Sequence, residues 1–162
     1  MLSRQLESHT SSLTQRLGSR DVLARFDALV AARAVGKFRA ELVPLVLQCI
    51  EEPNPPEIRL AAVDLIGNWP RPVPEVVPYL LTRLYDTNLF IRKAAILALG
   101  VHARGNSIVL DEMFVAYRLE SSSTLRSEII CVIHELQNRE ALSETIIRRA
   151  ASFRFSNYLP EG

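Results

Sequence analysis

Four arginines constrain this chain more than any other feature. Arg25, Arg59, Arg92 and Arg126 stand 34, 33 and 34 residues apart. Each sits in a similar apolar run: Ala24-Arg-Phe-Asp-Ala-Leu-Val-Ala-Ala, Ile58-Arg-Leu-Ala-Ala-Val-Asp-Leu-Ile-Gly, Ile91-Arg-Lys-Ala-Ala-Ile-Leu-Ala-Leu-Gly and Leu125-Arg-Ser-Glu-Ile-Ile-Cys-Val-Ile. A period of this length repeated four times marks an array of supersecondary units, each of which buries its apolar face against the next.

Between these runs lie others with helical rhythm: Leu42-Val-Pro-Leu-Val-Leu-Gln-Cys-Ile, Val76-Val-Pro-Tyr-Leu-Leu-Thr-Arg-Leu and Val109-Leu-Asp-Glu-Met-Phe-Val-Ala-Tyr. Each unit therefore reads as a helix A followed by a helix B. A first A helix is expected near residues 2–17, with Leu2, Leu6, Leu13 and Leu17 on one face, and a last helix near 141–152. The units fall at about 1–36, 37–70, 71–104 and 105–138, with a final helix over 139–152 and a tail or cap over 153–162. Asn54 is expected to cap the second B helix, with Pro55 in its first turn and Glu57 returning the capping bond. The prolines between Trp69 and Pro74 cannot continue a helix, because each lacks an N–H and disfavours the helical conformation in its predecessor. No stretch alternates long enough to make a sheet.

Successive helical residues turn by about 100°. Positions one before and three, four, six and seven after each arginine form one broad apolar arc, such as Ile58, Ala62, Val63, Leu65 and Ile66. Ala62 and Ala95 take matching core positions on it. The complementary arc reads Phe26, Val30, Arg33, Ala34; Leu60, Asp64, Gly67, Asn68; Lys93, Leu97, Gly100, Val101; and Ser127, Cys131, His134, Glu135. This mixed stripe is the surface the array is expected to leave open, unless curvature buries Leu60 and Leu97 between B helices. The arginines lie inside the apolar arc at the first turn of each B helix, where their forks can reach acids and carbonyls in the loops, so their expected role is structural.

These residues resemble the HEAT and HEAT-like repeats, whose B helix begins with a V-R-x-A-A-x-A-L-G type run. The match is fullest at Ile91–Gly100 and Ile58–Gly67 and covers residues 21–138. The resemblance implies an all-α fold, a right-handed α-solenoid of about four and a half helix pairs. Of the acid that family members often carry six residues before the arginine, Asp86 fits and Glu120 substitutes, whereas Ser19 and Pro53 depart. Helix A has no Leu-Gly-x-x-Tyr element and helix B ends in Gly rather than Pro, which sets the tetratricopeptide repeats aside despite their similar period.

Function is read from what remains. Lys+Arg 19 against Asp+Glu 18 leaves a net charge of +1, too small for a uniformly basic phosphate-binding surface. The small cluster Arg148, Arg149 and Arg154 is expected to complement a helix C-terminus, weak nucleic-acid binding being the alternative. Cys49 and Cys131 build neither a disulfide framework nor a zinc site. With no apolar leader and no apolar run near the ~20 residues that span a bilayer, the reduced cytoplasm is the expected compartment. His9, His102 and His134 carry no metal-binding spacing and are expected as solvent-facing residues. Cys131 and His134 are an i, i+3 pair with no orienting third group. No glycine loop for phosphate is present, and no cofactor or metal is expected.

The leading expectation is a non-catalytic scaffold or adaptor that holds a protein partner on Phe26, Val30, Leu60, Asp64, Lys93, Leu97, Cys131 and His134. A regulatory or accessory subunit of an enzyme, suggested by HEAT-like folds that host lyase activity, is the alternative. The aromatic segment with Phe153, Phe155 and Tyr158 is expected to cap the last unit, or else to dock on another chain. Homo-oligomers through the solenoid ends or this tail are a further expectation.

Overall fold

The computed structural model describes residues 12–36, 38–51, 53–103 and 106–139, and among them every regular element is helical. The elements are α1 (12–17), α2 (Val22–Val35), α3 (Val43–Ile50), α4 (Pro56–Gly67), α5 (Val77–Arg83), α6 (Leu89–His102), α7 (Ser107–Leu119) and α8 (Ser123–Arg139). They form four A/B pairs. Helix α3 lies on α4, α5 on α6 and α7 on α8, while the B helices α2, α4, α6 and α8 pack in sequence against one another. The chain is an all-helical α-solenoid. Residues 2–11 of the expected first A helix, the expected final helix over 139–152 past residue 139, and the expected tail or cap over 153–162 lie outside the described residues.

Local chemistry fixes the helix ends. Asp21 accepts from the Leu23 N–H, Asn88 from those of Phe90 and Ile91, and Asn106 from that of Ile108, each satisfying donors the first turn leaves open. Gly36 ends α2 at φ 63°, in the left-handed region that costs a residue without Cβ little. Helices α3 and α5 are each entered through a short 3-10 turn, Ala40–Leu42 and Pro74–Val76, with Pro44 and Pro78 in the first turn where a missing N–H is harmless. Asn54 is not the cap of α4. Pro55 holds that position without a side-chain bond, and the Asn54 amide instead donates to the Gln48 and Glu51 carbonyls, closing the end of α3.

The apolar arc of the B helices is the core. Ile58, Ala62, Val63 and Ile66 of α4, and Ile91, Ala95, Ile96 and Leu99 of α6, are buried. In α2 the matching Ala24 and Ala31 are only half-buried, since no B helix precedes it among the described residues. Two residues of the supposedly open arc belong to this packing. A β-carbon on Gly67 would stand 3.5 Å from the Ala98 Cβ, and one on Gly100 would stand 3.2 Å from Cγ1 of Val132. Glycine at the C-terminal end of α4 and α6 thus lets the next B helix come close. The open face is narrower there than the angular count predicts, and Gly100 is buried. Ala62 and Ala95 also have no room to grow: Ala62→Leu or Ala95→Leu should each cost about 1–3 kcal/mol through overpacking, read as a lower thermal midpoint.

His102 departs from the expected solvent-facing role. It is buried at the end of α6, where its Nδ1 accepts the Val73 N–H at 3.0 Å and its Nε2 lies 2.8 Å from the Ile66 carbonyl. Because Nδ1 must accept, the ring is the neutral Nε2–H tautomer, donating to Ile66. It ties the end of α4 to the proline-rich joint before α5, and Trp69 stacks edge-on against both His102 and Phe38. Burial pushes the His102 pKa below its ordinary 6.5. An unfolded chain takes up this proton near pH 6.5 while the folded one resists it, so the contribution is complete above that pH and is lost as the pH falls toward the depressed folded value. The thermal midpoint should therefore start to fall below about pH 6.5, and His102→Gln should flatten that limb of the profile.

Candidate functional site

The loops between A and B helices carry a ladder of arginine contacts. The Arg59 Nε and Nη2 hold the two Asp86 carboxylate oxygens at 3.2 Å, with the side chains 5% and 2% exposed. Arg92 holds Glu120 in the same way, at 2.7 and 3.0 Å. Each fork thus grips the loop of the following unit. The Nη1 atoms turn back to their own loops: Arg59 to the Asn54 carbonyl at 2.6 Å, Arg92 to Asp86 and Thr87, and Arg126 to Glu120 and Ser121. In the first rung Arg25 takes a neutral partner, Asn54 Oδ1 at 2.8 Å, and its Nε is buried without a hydrogen bond. An aspartate at 54 would serve Arg25 better but would lose the two amide donors that close α3. Arg92 holds the Glu120 carboxyl below the ordinary carboxylate range. These arginines face into the array and offer no stripe to an outside anion.

The other edge of the B helices is open. Of the residues singled out there, Phe26, Val30, Leu97, Cys131 and His134 are exposed, and Leu60, Asp64 and Lys93 are half-buried. Leu60 packs in part against the core, whereas Leu97 is 46% exposed, so curvature covers one of the two leucines more than the other. Asp64 pairs with Arg33 at 3.3 Å and Lys93 with Glu128 at 3.3 Å. Both ion pairs join neighbouring B helices at the surface, where each adds little stability. Phe26, Val30, Leu60 and Ala61 line a groove of about 310 Å³ between α2 and α4, floored by Leu29, with Glu57 and the Arg33–Asp64 pair at its rim.

Two exposed apolar residues on the same face escaped the angular count. Leu23 is 72% and Phe90 65% exposed, and each lies two positions before the repeating arginine. At 100° per residue that position falls at 160°, between those one and nine after the arginine, which stand at 100° and 180°. Extending the count backward by one residue finds them. A separate apolar row, Ile108, Val115 and Leu119, lies exposed on α7. At the matching positions of the preceding unit stand Glu75, Thr82 and Asp86.

Among the described residues no group of three or more His, Cys, Asp or Glu is placed to hold a metal ion. Cys49 is buried, and burial raises its thiol pKa away from the reactive thiolate. No described helix is long and apolar enough to cross a membrane.

Stacked A/B pairs, close B-helix packing and a regular arginine at the head of each B helix define a helical-repeat solenoid. The family model for HEAT repeats matches residues 10–100 and again residues 43–133, two placements offset by one 33-residue period. The chain belongs to the HEAT-repeat family, whose members typically serve as scaffolds for protein–protein interaction. A comparison with individual curated proteins gave no match.

Proposed function

We propose that this protein is a non-catalytic scaffold or adaptor that binds a protein partner on the open edge of its B helices. The observation that carries the reading is the alignment of exposed Leu23, Phe26 and Val30 beside the α2–α4 groove, with Phe90 and Leu97 on the matching face of α6. Stacking does not require apolar side chains at these positions, and exposed large apolar residues gathered on one face mark interaction surfaces. In the groove, apolar walls and floor supply burial, while Glu57 and the Arg33–Asp64 pair at the rim select orientation. Units 1–36, 37–70, 71–104 and 105–138 are proposed as one domain.

The test compares partner capture from the native cell by the wild type and by Phe26→Asp and Leu97→Asp, with the melting temperature measured alongside. Charge at either site should weaken capture of the same protein about tenfold or more, the scale of a lost interface anchor, with the melt nearly unchanged. Intact capture by both folded variants would move the site elsewhere, with the α7 row next.

A further inference from the structure

We propose that α7 is a self-association surface, on which a second copy of this chain lays its own α7 antiparallel about a two-fold axis. Ile108, Val115 and Leu119 stand at i, i+7 and i+11, so at 100° per residue they fall within about 40° of one another and form one strip along the helix. All three are exposed, Ile108 at 64% and Leu119 at 70%. The strip is turned away from the face that Leu110, Met113, Phe114 and Tyr117 bury. Stacking does not call for it. The Ile108 position holds Glu41 and Glu75 in the two preceding units, the Val115 position holds Gln48 and Thr82, and these four polar residues are exposed. A row of large apolar side chains placed where its counterparts are polar marks a contact surface.

The occupant follows from symmetry and charge. A two-fold axis crossing α7 near residue 114 sets Val115 beside its own copy and Ile108 against Leu119 of the second copy, since Ile108 lies six residues before the axis and Leu119 five after it. At 1.5 Å per residue the members of that pair differ in height by about 1.5 Å, so the seam is apolar along its length. Asp111 and Arg118 lie about 60° and 80° to one side of Ile108, and both are exposed. The two-fold axis keeps that side of both helices together. Asp111 stands three residues before the axis and Arg118 four after it, so each carboxylate meets a guanidinium of the second copy. On the other flank Glu112 is already engaged by the Tyr85 hydroxyl at 3.2 Å. Two helices of this length fall well short of the ~800 Å² per partner of a standard interface, so the dimer forms only at high concentration. Because the strip faces away from α8, on which α7 packs, the dimer leaves both B-helix edges open and presents two of them on one particle.

The test is sedimentation equilibrium of the full chain from about 10 μM to about 1 mM at low ionic strength, where surface charges are least screened. The wild type should pass reversibly from monomer to dimer. Val115→Asp, which sets two carboxylates at the axis, should remain monomeric with its melting temperature unchanged. Asp111→Arg and Arg118→Asp should each dimerise about tenfold more weakly when alone, because each sets like charges against one another twice. Mixed in equal amounts they should associate at least as well as the wild type, and so should one chain carrying both substitutions. A wild type that is monomeric throughout overturns the proposal and leaves the α7 strip to a different protein. So does a dimer that persists in folded Val115→Asp, which places the contact elsewhere on the chain. Charge variants that associate like the wild type, or that fail to recover on mixing, overturn the antiparallel seam.

Discussion

A chain carrying Asp86→Ala should lose about 3–5 kcal/mol of folding stability, the range for breaking a buried ion pair from one side. Asp86 receives both arms of Arg59 at 3.2 Å, one from Arg83 at 3.4 Å, and the Asn88 N–H at 2.9 Å. Removing it takes the carboxylate from a guanidinium that is 5% exposed, and water cannot replace what is lost. The damage is not confined to one unit, because Arg59 belongs to the second pair of helices and Asp86 to the third. Urea denaturation should show the loss as a lower midpoint. Asp86→Asn keeps an acceptor for the Asn88 N–H and should fall between the wild type and Asp86→Ala. The double variant Arg59→Met/Asp86→Leu removes both charges together and should recover much of the stability. An Asp86→Ala chain within about 1 kcal/mol of the wild type, the scale of an exposed pair, would mean that the rung is not what ties these units.

That rung also shows how far sequence reasoning reaches. The arginine period and the apolar arc depend on helical geometry alone, so the helix pairs and most of the core follow from counting. What the arginines hold does not. Ser19 and Pro53 replace the family's acid six residues before Arg25 and Arg59, which suggests a broken ladder. In space the fork looks forward to the next unit, so Arg59 is served by Asp86 and Arg92 by Glu120, whereas Arg25 meets the neutral Asn54. The acids that matter are 27 and 28 residues downstream, a separation visible only once the units are stacked. His102 was misread for a related reason: its place at the end of α6 suggests solvent, but the loop Trp69–Val73 from the preceding joint folds over it. Gly67 and Gly100 mark where one helix's open arc becomes its neighbour's packing surface, a distinction a single helical wheel cannot make. On the candidate site, Phe26, Val30 and Leu97 were placed on an open edge by angle. Leu23 and Phe90 lie two positions before the arginine, one residue outside the stretch that the angular reading covers.

Leu99→Ala should cost about 2–5 kcal/mol, the range for truncating a fully buried leucine where the surroundings cannot collapse. Leu99 is fully buried in α6, the B helix that packs against both α4 and α8. The same position holds Ala32 in α2, Ile66 in α4 and Ile133 in α8. Of the described B helices, α2 holds a small residue there, whereas α4, α6 and α8 carry a full side chain. In a stacked array each unit draws stability from its neighbours, so a cavity in the third unit weakens the interfaces on both sides of it. Leu99→Ala should therefore lower the urea midpoint and also the slope of the transition, because the halves on either side begin to unfold separately and each exposes less surface per event. Among the described residues α8 packs against one B helix, α6, where α6 packs against two, so a substitution there has one such interface to loosen. Ile133→Val, a smaller truncation at the same position of α8, should lower the midpoint by about 0.5–1.5 kcal/mol and leave the slope intact. If Leu99→Ala lowers the midpoint at constant slope, the four described pairs unfold as one unit whatever is removed from their centre. A loss below about 1 kcal/mol would instead mean that α4 and α8 close over the gap, contrary to the tight approach at Gly67 and Gly100 that holds those helices at fixed distances from α6.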